Sequence, residues 1–285
     1  MEITKVGIVG AGVMGSGIAQ RCAMRGFQTV VVDVSTDKII NSQGIIHRSL
    51  RKLVDGGAIK NDERQGALSK LEFYTKLYRV ADCGMVIESV SEDLDLKQKV
   101  FSELDELCVP ETILASNTSS LRISLLAAAT KNPGRVVGMH FMNPAPVIDL
   151  VEFIRCESTS NEVAAVSRQF AMDVGCAIVE SRDIPGFIVN RILIPMLNEA
   201  LYLLEADAAS AEDIDRAMVL GTKQPVGPLA LADRIGLDVI LSILSSWHKE
   251  LQDDRYKPCP LLKRYVQKHQ LGRKTGKGIF AYPDA

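Results

Sequence analysis

Two residues, a histidine and a glutamate, are suited by type and spacing to proton transfer. His140 closes a strand predicted over residues 135–139, and Glu152 lies in the apolar run 148–154. If the segment between them turns the chain back, the carboxylate can fix the imidazole tautomer and stabilise its cation. Such an imidazole can take a proton from a substrate hydroxyl and return it in the reverse reaction. A core histidine beside an unrelated glutamate is the commoner outcome and remains open on spacing alone.

A glycine turn near the start of the chain points to a dinucleotide. Residues 10–15 fit G-x-G-x-x-G between a predicted strand at 6–10 and a predicted helix at 13–24. In that context the turn presents the unpaired N–H groups of the helix to a pyrophosphate. A purely structural glycine turn is the alternative. The residues of the turn are Gly10, Ala11, Gly12, Val13, Met14 and Gly15.

The choice of dinucleotide depends on Asp33, which ends the next predicted strand. Its carboxylate can accept hydrogen bonds from both ribose hydroxyls and would repel a 2′-phosphate. The following residues, 34–36, include no arginine. We therefore expect NAD rather than NADP; the alternative is that Asp33 caps a helix, a role that Ser35 or Thr36 could also fill.

Two further polar features, a serine-rich segment and an asparagine in an apolar helix, each allow more than one interpretation. Residues 116–120, Ser-Asn-Thr-Ser-Ser, follow a predicted strand and should reach the same edge of the sheet, although such segments are often only turns. No G-x-S-x-G frames a serine, which argues against a hydrolase. Asn190 interrupts an apolar helical run, where it faces either solvent or a polar group.

The elements that must position these residues change character along the chain. Predicted strands and helices alternate up to about residue 179, which indicates a mostly parallel sheet with helices on both faces. After Pro185 the pattern is helical throughout. We predict an α/β fold with a Rossmann-like NAD-binding domain over residues 1–184 and an all-helical domain over residues 185–285. The strands are predicted at 6–10, 29–32, 85–89, 112–116, 135–139, 148–154 and 177–179, and the helices at 13–24, 94–107, 187–205, 211–220, 237–250 and 261–269.

Composition limits the other classes of function. The 285 residues carry 33 basic and 35 acidic side chains, so a globally basic nucleic-acid binder is excluded. The six cysteines are widely spaced, which favours buried thiols over disulfides or zinc, and we expect no metal site. Without an apolar run of about 18 residues or a basic leader, we expect a cytoplasmic protein that binds no membrane.

Four further segments, in addition to the glycine turn, carry a family resemblance that extends over nearly the whole chain. They are Ala-Ser-Asn-Thr-Ser-Ser at 115–120, Gly-Met-His-Phe-Met-Asn-Pro at 138–144, Pro-Gly-Phe-Ile-Val-Asn-Arg at 185–191 and Gly-Arg-Lys-Thr-Gly-Lys-Gly at 272–278. With these motifs in this order, the chain resembles the short-form 3-hydroxyacyl-CoA dehydrogenases, and among them the bacterial 3-hydroxybutyryl-CoA dehydrogenases.

The resemblance implies reversible, NAD-dependent oxidation of an (S)-3-hydroxyacyl-CoA, with short acyl chains favoured. It implies that His140 is the general acid/base, that Glu152 orients it, and that Ser119 and Asn190 bind the substrate's 3-oxygen region or the histidine. It also implies a C-terminal domain that forms a homodimer or higher homo-oligomer. The implied NAD contacts are Glu92, Lys97, Ser119, Asn143 and Lys274.

One departure from the family concerns the CoA end of the substrate. The family tends to carry a serine and, seven residues later, a lysine; here Ser49 is followed by Gly56. Lys52 or Lys60 could replace that lysine, so Ser49 and Lys52 are expected to contact CoA. The alternatives are a dehydrogenase acting on a carrier-bound or free 3-hydroxy acid, and a non-catalytic NAD-binding protein.

Overall fold

A computed structural model describes residues 2–283 of the chain. The structure divides into two compact units, with the division between Phe187 and Ile188. The division follows the segment 183–187, which joins the last strand to the first of the C-terminal helices.

The first unit is built on one eight-stranded sheet. Its strand order is β3-β2-β1-β4-β5-β6-β7-β8, and every neighbouring pair is parallel except β6 and β7, which are antiparallel. The carboxyl ends of β1 to β6 therefore lie at one edge of the sheet, and the amino end of β7 joins them there. The strands are β1 Lys5–Val9, β2 Gln28–Val32, β3 Leu71–Tyr74, β4 Met85–Glu88, β5 Ile113–Ser116, β6 Val136–Phe141, β7 Leu150–Arg155 and β8 Ala177–Arg182.

Helices cover both faces of this sheet and create two apolar layers. Ile8 and Val9 are neighbours in β1 yet belong to different layers, because successive side chains of a strand point to opposite faces. The near-continuous burial of the central strands is typical of a parallel sheet covered on both sides. The helices of this unit are α1 Val13–Met24, α2 Thr36–Asp55, α3 Asn61–Ser69, α4 Leu94–Leu107, α5 Ile123–Ala127 and α6 Asn161–Asp173.

The second unit is helical, with its own core around the buried Trp247. Its final segment is held by Asp233, whose carboxylate accepts hydrogen bonds from the N–H groups of Ile279 and Phe280 and from the hydroxyl of Tyr282. Within the described part of this unit, β structure is limited to isolated bridges at residues 272–281. Its helices are α7 Val189–Glu205, α8 Ala211–Thr222, α9 Pro228–Ile235, α10 Leu237–Leu251 and α11 Pro260–Gln267.

The structure confirms the predicted fold class and corrects one detail at the site. His140 does not follow the strand but lies inside it, because Phe141 pairs with Val151 and extends β6. All six cysteines are buried and free, as their spacing predicted. Over residues 2–283, no helix combines the length and the apolar character needed to cross a bilayer.

Candidate active site

A histidine–carboxylate pair lies at the carboxyl edge of the sheet. His140 and Glu152 occupy directly opposed positions of the antiparallel strands β6 and β7, so their side chains share one face. The His140 Nδ1 and Glu152 Oε2 atoms lie 2.7 Å apart, and both residues are buried. The ring of Phe187 packs against the imidazole with a centroid separation of 5.8 Å. The chain therefore turns back between the two strands, through residues 142–149, as the prediction of this pair assumed.

The serine-rich segment that follows β5 is organised by Glu92. One oxygen of this carboxylate accepts hydrogen bonds from the N–H groups of Ser119 and Ser120, each at 3.0 Å, and from the hydroxyl of Thr118 at 2.6 Å. Burial alone would raise the pKa of Glu92, but the nearby Lys97 ammonium and these donors hold it below its ordinary value. The Glu92 carboxylate thus fixes the backbone around Ser119 through these hydrogen bonds.

Behind this segment lies a buried ion pair. The Lys97 ammonium is 2.6 Å from Glu88 Oε1 and 3.3 Å from Glu92 Oε2, with the Lys97 side chain 1% exposed. Burial raises the pKa of Glu88, while the charge of Lys97 opposes that shift. The family resemblance placed Lys97 among the cofactor contacts, and the sequence analysis gave no role to Glu88. A glutamate at the end of the otherwise apolar strand β4 could have indicated a buried charged partner.

Asn117 is a second residue that the sequence reasoning did not single out. Its side-chain oxygen accepts the N–H of Phe141 at 2.9 Å, which joins the segment after β5 to the residue next to His140. The backbone N–H of Asn117 donates to the backbone carbonyl of Glu88 at 2.8 Å. Asn117 therefore fixes the serine segment relative to the strand that carries the histidine.

The glycine turn has the geometry that a bound dinucleotide requires. Gly10 has a φ of +107°, and a Cβ there would lie 2.5 Å from the carbonyl oxygen of Ser89. A Cβ on Gly15 would lie 1.8 Å from the Gly10 carbonyl oxygen, so only glycine lets α1 approach the turn. At Gly12, by contrast, a Cβ would meet no atom of the described chain within 4 Å.

The N-terminus of α1 is consequently available to an anion. Its first residue, Val13, is exposed, Met14 is half-buried, and the N-cap is Gly12, which has no side chain to accept an N–H. The free N–H groups and the helix dipole favour a negatively charged group at this position. The open space at Gly12 and the uncapped helix together fit a pyrophosphate.

Asp33 lies beside this turn, where β2 ends. Its carboxylate accepts the N–H of Ala11 at one oxygen and the N–H of Ser35 at the other, each at 3.0 Å. Ser35, rather than Asp33, caps α2 by accepting the N–H of Lys38. Each carboxylate oxygen keeps a further lone pair, which suits the two hydroxyls of a ribose.

The remaining predicted residues occupy separate positions. Asn143 is exposed in the connection between β6 and β7. Ser49 and Lys52 lie on α2, and Gly56 is the C-cap of that helix. In the second unit, Asn190 is the second residue of α7, and the ammonium of Lys274 is 2.7 Å from Asp238 Oδ2.

Comparison with known proteins assigns both parts of the chain. Residues 5–184 match the 3-hydroxyacyl-CoA dehydrogenase NAD binding domain, and residues 186–282 match the C-terminal domain of the same enzymes. The chain belongs to the 3-hydroxyacyl-CoA dehydrogenase family. It is therefore an NAD-dependent oxidoreductase, and the fit of the glycine turn to a dinucleotide agrees with that assignment.

Full-length relatives within the 3-hydroxyacyl-CoA dehydrogenase family share this organisation. A 3-hydroxybutyryl-CoA dehydrogenase of Bradyrhizobium diazoefficiens is 46% identical, with 99% of this chain and 97% of the relative covered. A protein of the same description from Mycobacterium tuberculosis is 43% identical, covering 98% and 99%. The crystal structure of (S)-3-hydroxybutyryl-CoA dehydrogenase from Ralstonia eutropha superposes with a TM-score of 0.95 at 41% identity, covering 99% of each chain.

Proposed function

We propose that this dehydrogenase interconverts (S)-3-hydroxybutyryl-CoA and acetoacetyl-CoA with NAD as the hydride acceptor. The observation that carries the proposal is the buried contact of 2.7 Å between His140 Nδ1 and Glu152 Oε2. The similarity to full-length 3-hydroxybutyryl-CoA dehydrogenases supports the four-carbon substrate.

His140 acts as the general base in the oxidation. A neutral imidazole that donates its Nδ1–H to the Glu152 carboxylate leaves Nε2 unprotonated, and Nε2 accepts the proton of the substrate hydroxyl. Glu152 stabilises the imidazolium that forms. The glycine turn and Asp33 would hold NAD, which would supply the acceptor for the hydride of C3 as the C3–O bond becomes a carbonyl. In the reverse reaction, the imidazolium returns the proton to the oxygen.

The other roles come from the family pattern and from the contacts at the edge of the sheet. Ser119 and Asn190 bind the 3-oxygen region of the substrate or orient the histidine. The glycine turn holds the pyrophosphate and Asp33 holds the adenosine ribose. The proposed contacts to the nicotinamide half of the cofactor are Glu92, Lys97, Ser119, Asn143 and Lys274.

Helix α2 is the proposed contact surface for the CoA part of the substrate. Ser49 and Lys52 on α2 are proposed to contact CoA, although Gly56 stands where the family tends to have a lysine. A carrier-bound or free 3-hydroxy acid is the second candidate.

We further propose that the enzyme is a cytoplasmic homodimer or higher homo-oligomer that associates through its helical C-terminal unit. The similarity to bacterial dehydrogenases supports this location. Light scattering of the purified enzyme tests the assembly, and a monomeric mass would contradict it.

Oxidation of NADH, followed by its absorbance, tests the substrate directly. We expect kcat/KM to be highest with acetoacetyl-CoA within a C4 to C16 series of 3-oxoacyl-CoAs, and to be much lower with free acetoacetate or with NADPH. Preference for a carrier-bound analogue would favour the second candidate. Tight NADH binding without turnover on any of these compounds would overturn the assignment of this reaction.

A further inference from the structure

Glu88 is a fully buried carboxylate that the proposed reaction does not use. It ends β4, and its Oε1 atom accepts the N–H of Val90 and the ammonium of Lys97, each at 2.6 Å. Its Oε2 atom accepts the hydroxyl of Ser116 at 2.7 Å. Because Lys97 is also buried, each charge depends on the other for its stability.

One path of contacts leads from Glu88 through Lys97 to the serine segment. The Lys97 ammonium is 3.3 Å from Glu92 Oε2, and the other oxygen of Glu92 accepts the N–H of Ser119 at 3.0 Å. A lysine side chain is flexible and its charge is compact, so a fixed partner is needed to hold the ammonium at one point. Glu88 supplies that partner from the end of a central strand.

A second path reaches the same segment through β5. The Ser116 hydroxyl donates to Glu88, and its oxygen accepts the N–H of Thr118 at 3.1 Å. The backbone carbonyl of Glu88 accepts the N–H of Asn117. Both paths therefore end in residues 117–120, the segment that carries Ser119.

We propose that Glu88 is a positioning residue of this dehydrogenase, which holds Lys97 beside Glu92 and thereby fixes Ser119 and these proposed contacts to the nicotinamide half of the cofactor. The inference rests on the proposed function of Glu92, Lys97 and Ser119. A buried ion pair can often be replaced by apolar residues without loss of stability. The contacts of this pair lead to Ser119, so its charges suit a site where surrounding groups must hold functional ones in place.

A second buried ion pair on the same helix provides a matched control. Asp105, near the end of α4, lies 2.8 Å from Arg135, and both side chains are at most 4% exposed. Arg135 directly precedes β6 and so lies at the amino edge of the sheet, away from the residues of the site. Glu88→Gln and Asp105→Asn each remove one buried negative charge while keeping the size of the side chain.

The two variants are compared by Tm, by NADH affinity from fluorescence titration, and by kcat/KM with acetoacetyl-CoA. We expect both variants to lower Tm, but only Glu88→Gln to weaken NADH binding and to lower kcat/KM, by on the order of 100-fold. If the NADH affinity and the kcat/KM of Glu88→Gln both match those of Asp105→Asn, the role of Glu88 is purely structural and the proposal is wrong. The NADH titration needs no thioester, so it reports on Glu88 even if the proposed substrate is incorrect.

Lys97→Met provides an independent test that does not require the single Glu88 variant to fold. The glutamine of Glu88→Gln keeps an oxygen that can accept the Ser116 hydroxyl, and the backbone carbonyl is unchanged, so the second path is preserved. If Glu88 acts through Lys97, the double variant Glu88→Gln/Lys97→Met should bind NADH and turn over as Lys97→Met does, because the effects of coupled residues are not additive. A further large loss in the double variant would show that Glu88 acts independently of Lys97 and would overturn the proposal.

Discussion

The imidazole of His140 and the carboxylate of Glu152 meet across two antiparallel strands, with 2.7 Å between Nδ1 and Oε2. Opposed positions in an antiparallel pair bring their Cβ atoms to within about 5.5 Å, so strand pairing alone brings these side chains together. In a buried setting such a contact is electrostatically stronger than it would be in water. The geometry of the pair is thus a property of the sheet.

Replacing His140 by glutamine should remove proton transfer while preserving the cofactor site. We expect kcat to fall by about 10²–10⁴-fold, the range for loss of a general acid/base, with NADH affinity unchanged. Stopped-flow assays and NADH titration measure the two quantities. His248→Gln is the control, because His248 also contacts a carboxylate, Asp254 at 3.1 Å, but at an exposed position. Near-normal turnover of His140→Gln would exclude the proposed role.

Glu152→Gln keeps the side-chain volume but removes the charge that stabilises the imidazolium. We expect kcat to fall by about 10²–10⁴-fold, as when other histidine–carboxylate pairs lose their charge. Glu180→Gln, in the neighbouring strand β8 and paired with Arg168, should leave kcat unchanged. Equal turnover in the two variants would remove Glu152 from the mechanism.

The preference for NADH should depend on the charge of Asp33. Asp33→Asn keeps the shape of the side chain, with an amide nitrogen in place of one carboxylate oxygen, but removes the negative charge that would repel a 2′-phosphate. We expect the NADPH-to-NADH ratio of kcat/KM to rise by about tenfold, equivalent to about 1.4 kcal/mol. Asp37→Asn, in the first turn of α2, is the control. An unchanged ratio would assign the discrimination to other residues.

Asp105 should make stability depend on pH. Burial would raise its pKa, but the guanidinium of Arg135 and the N–H of Lys131 hold it below the ordinary value of 3.8. The folded state thus releases this proton more readily than the unfolded state, and the stabilisation is present above about pH 4 and lost as the pH falls through the folded pKa.

Urea unfolding of the wild type and Asp105→Asn between pH 7 and pH 3 measures this contribution. We expect the variant to be less stable at pH 7 by about 3–5 kcal/mol, since it leaves the buried Arg135 without a countercharge. The difference should shrink below about pH 4. A difference independent of pH would mean that the Asp105 charge does not stabilise the fold.

Elements with strong local signals were predictable to the residue. The predicted ranges 13–24 and 94–107 coincide with α1 and α4. The first begins after the glycine turn, and Asp93 caps the second by accepting the N–H of Leu96. The helices α2, α3, α5, α6 and α9 and the short strand β3 were not predicted. In α2 and α6 the local signals were present and were overlooked, since Ser35 and Ser160 cap these helices and each buries an apolar face. The remaining elements are short, and packing decides their form.

Contacts at the candidate site were predictable where chemically unusual residues lie on two consecutive strands, and not where a strand meets a helix or the segment after another strand. His140 and Glu152 were found because both are unusual in apolar strands. The contacts of Glu88 with Lys97 and of Asn117 with Phe141 join residues on different elements, so no spacing in the sequence indicates them. Register and strand order decide such pairs.

Strand pairing, rather than the connection between the strands, brings His140 to Glu152. That contact therefore does not depend on the length or composition of residues 142–149. Val147 in this connection is 68% exposed. Laboratory evolution could therefore vary exposed positions of this connection other than Asn143, such as Val147, while the contact between the imidazole and the carboxylate is kept by the paired strands.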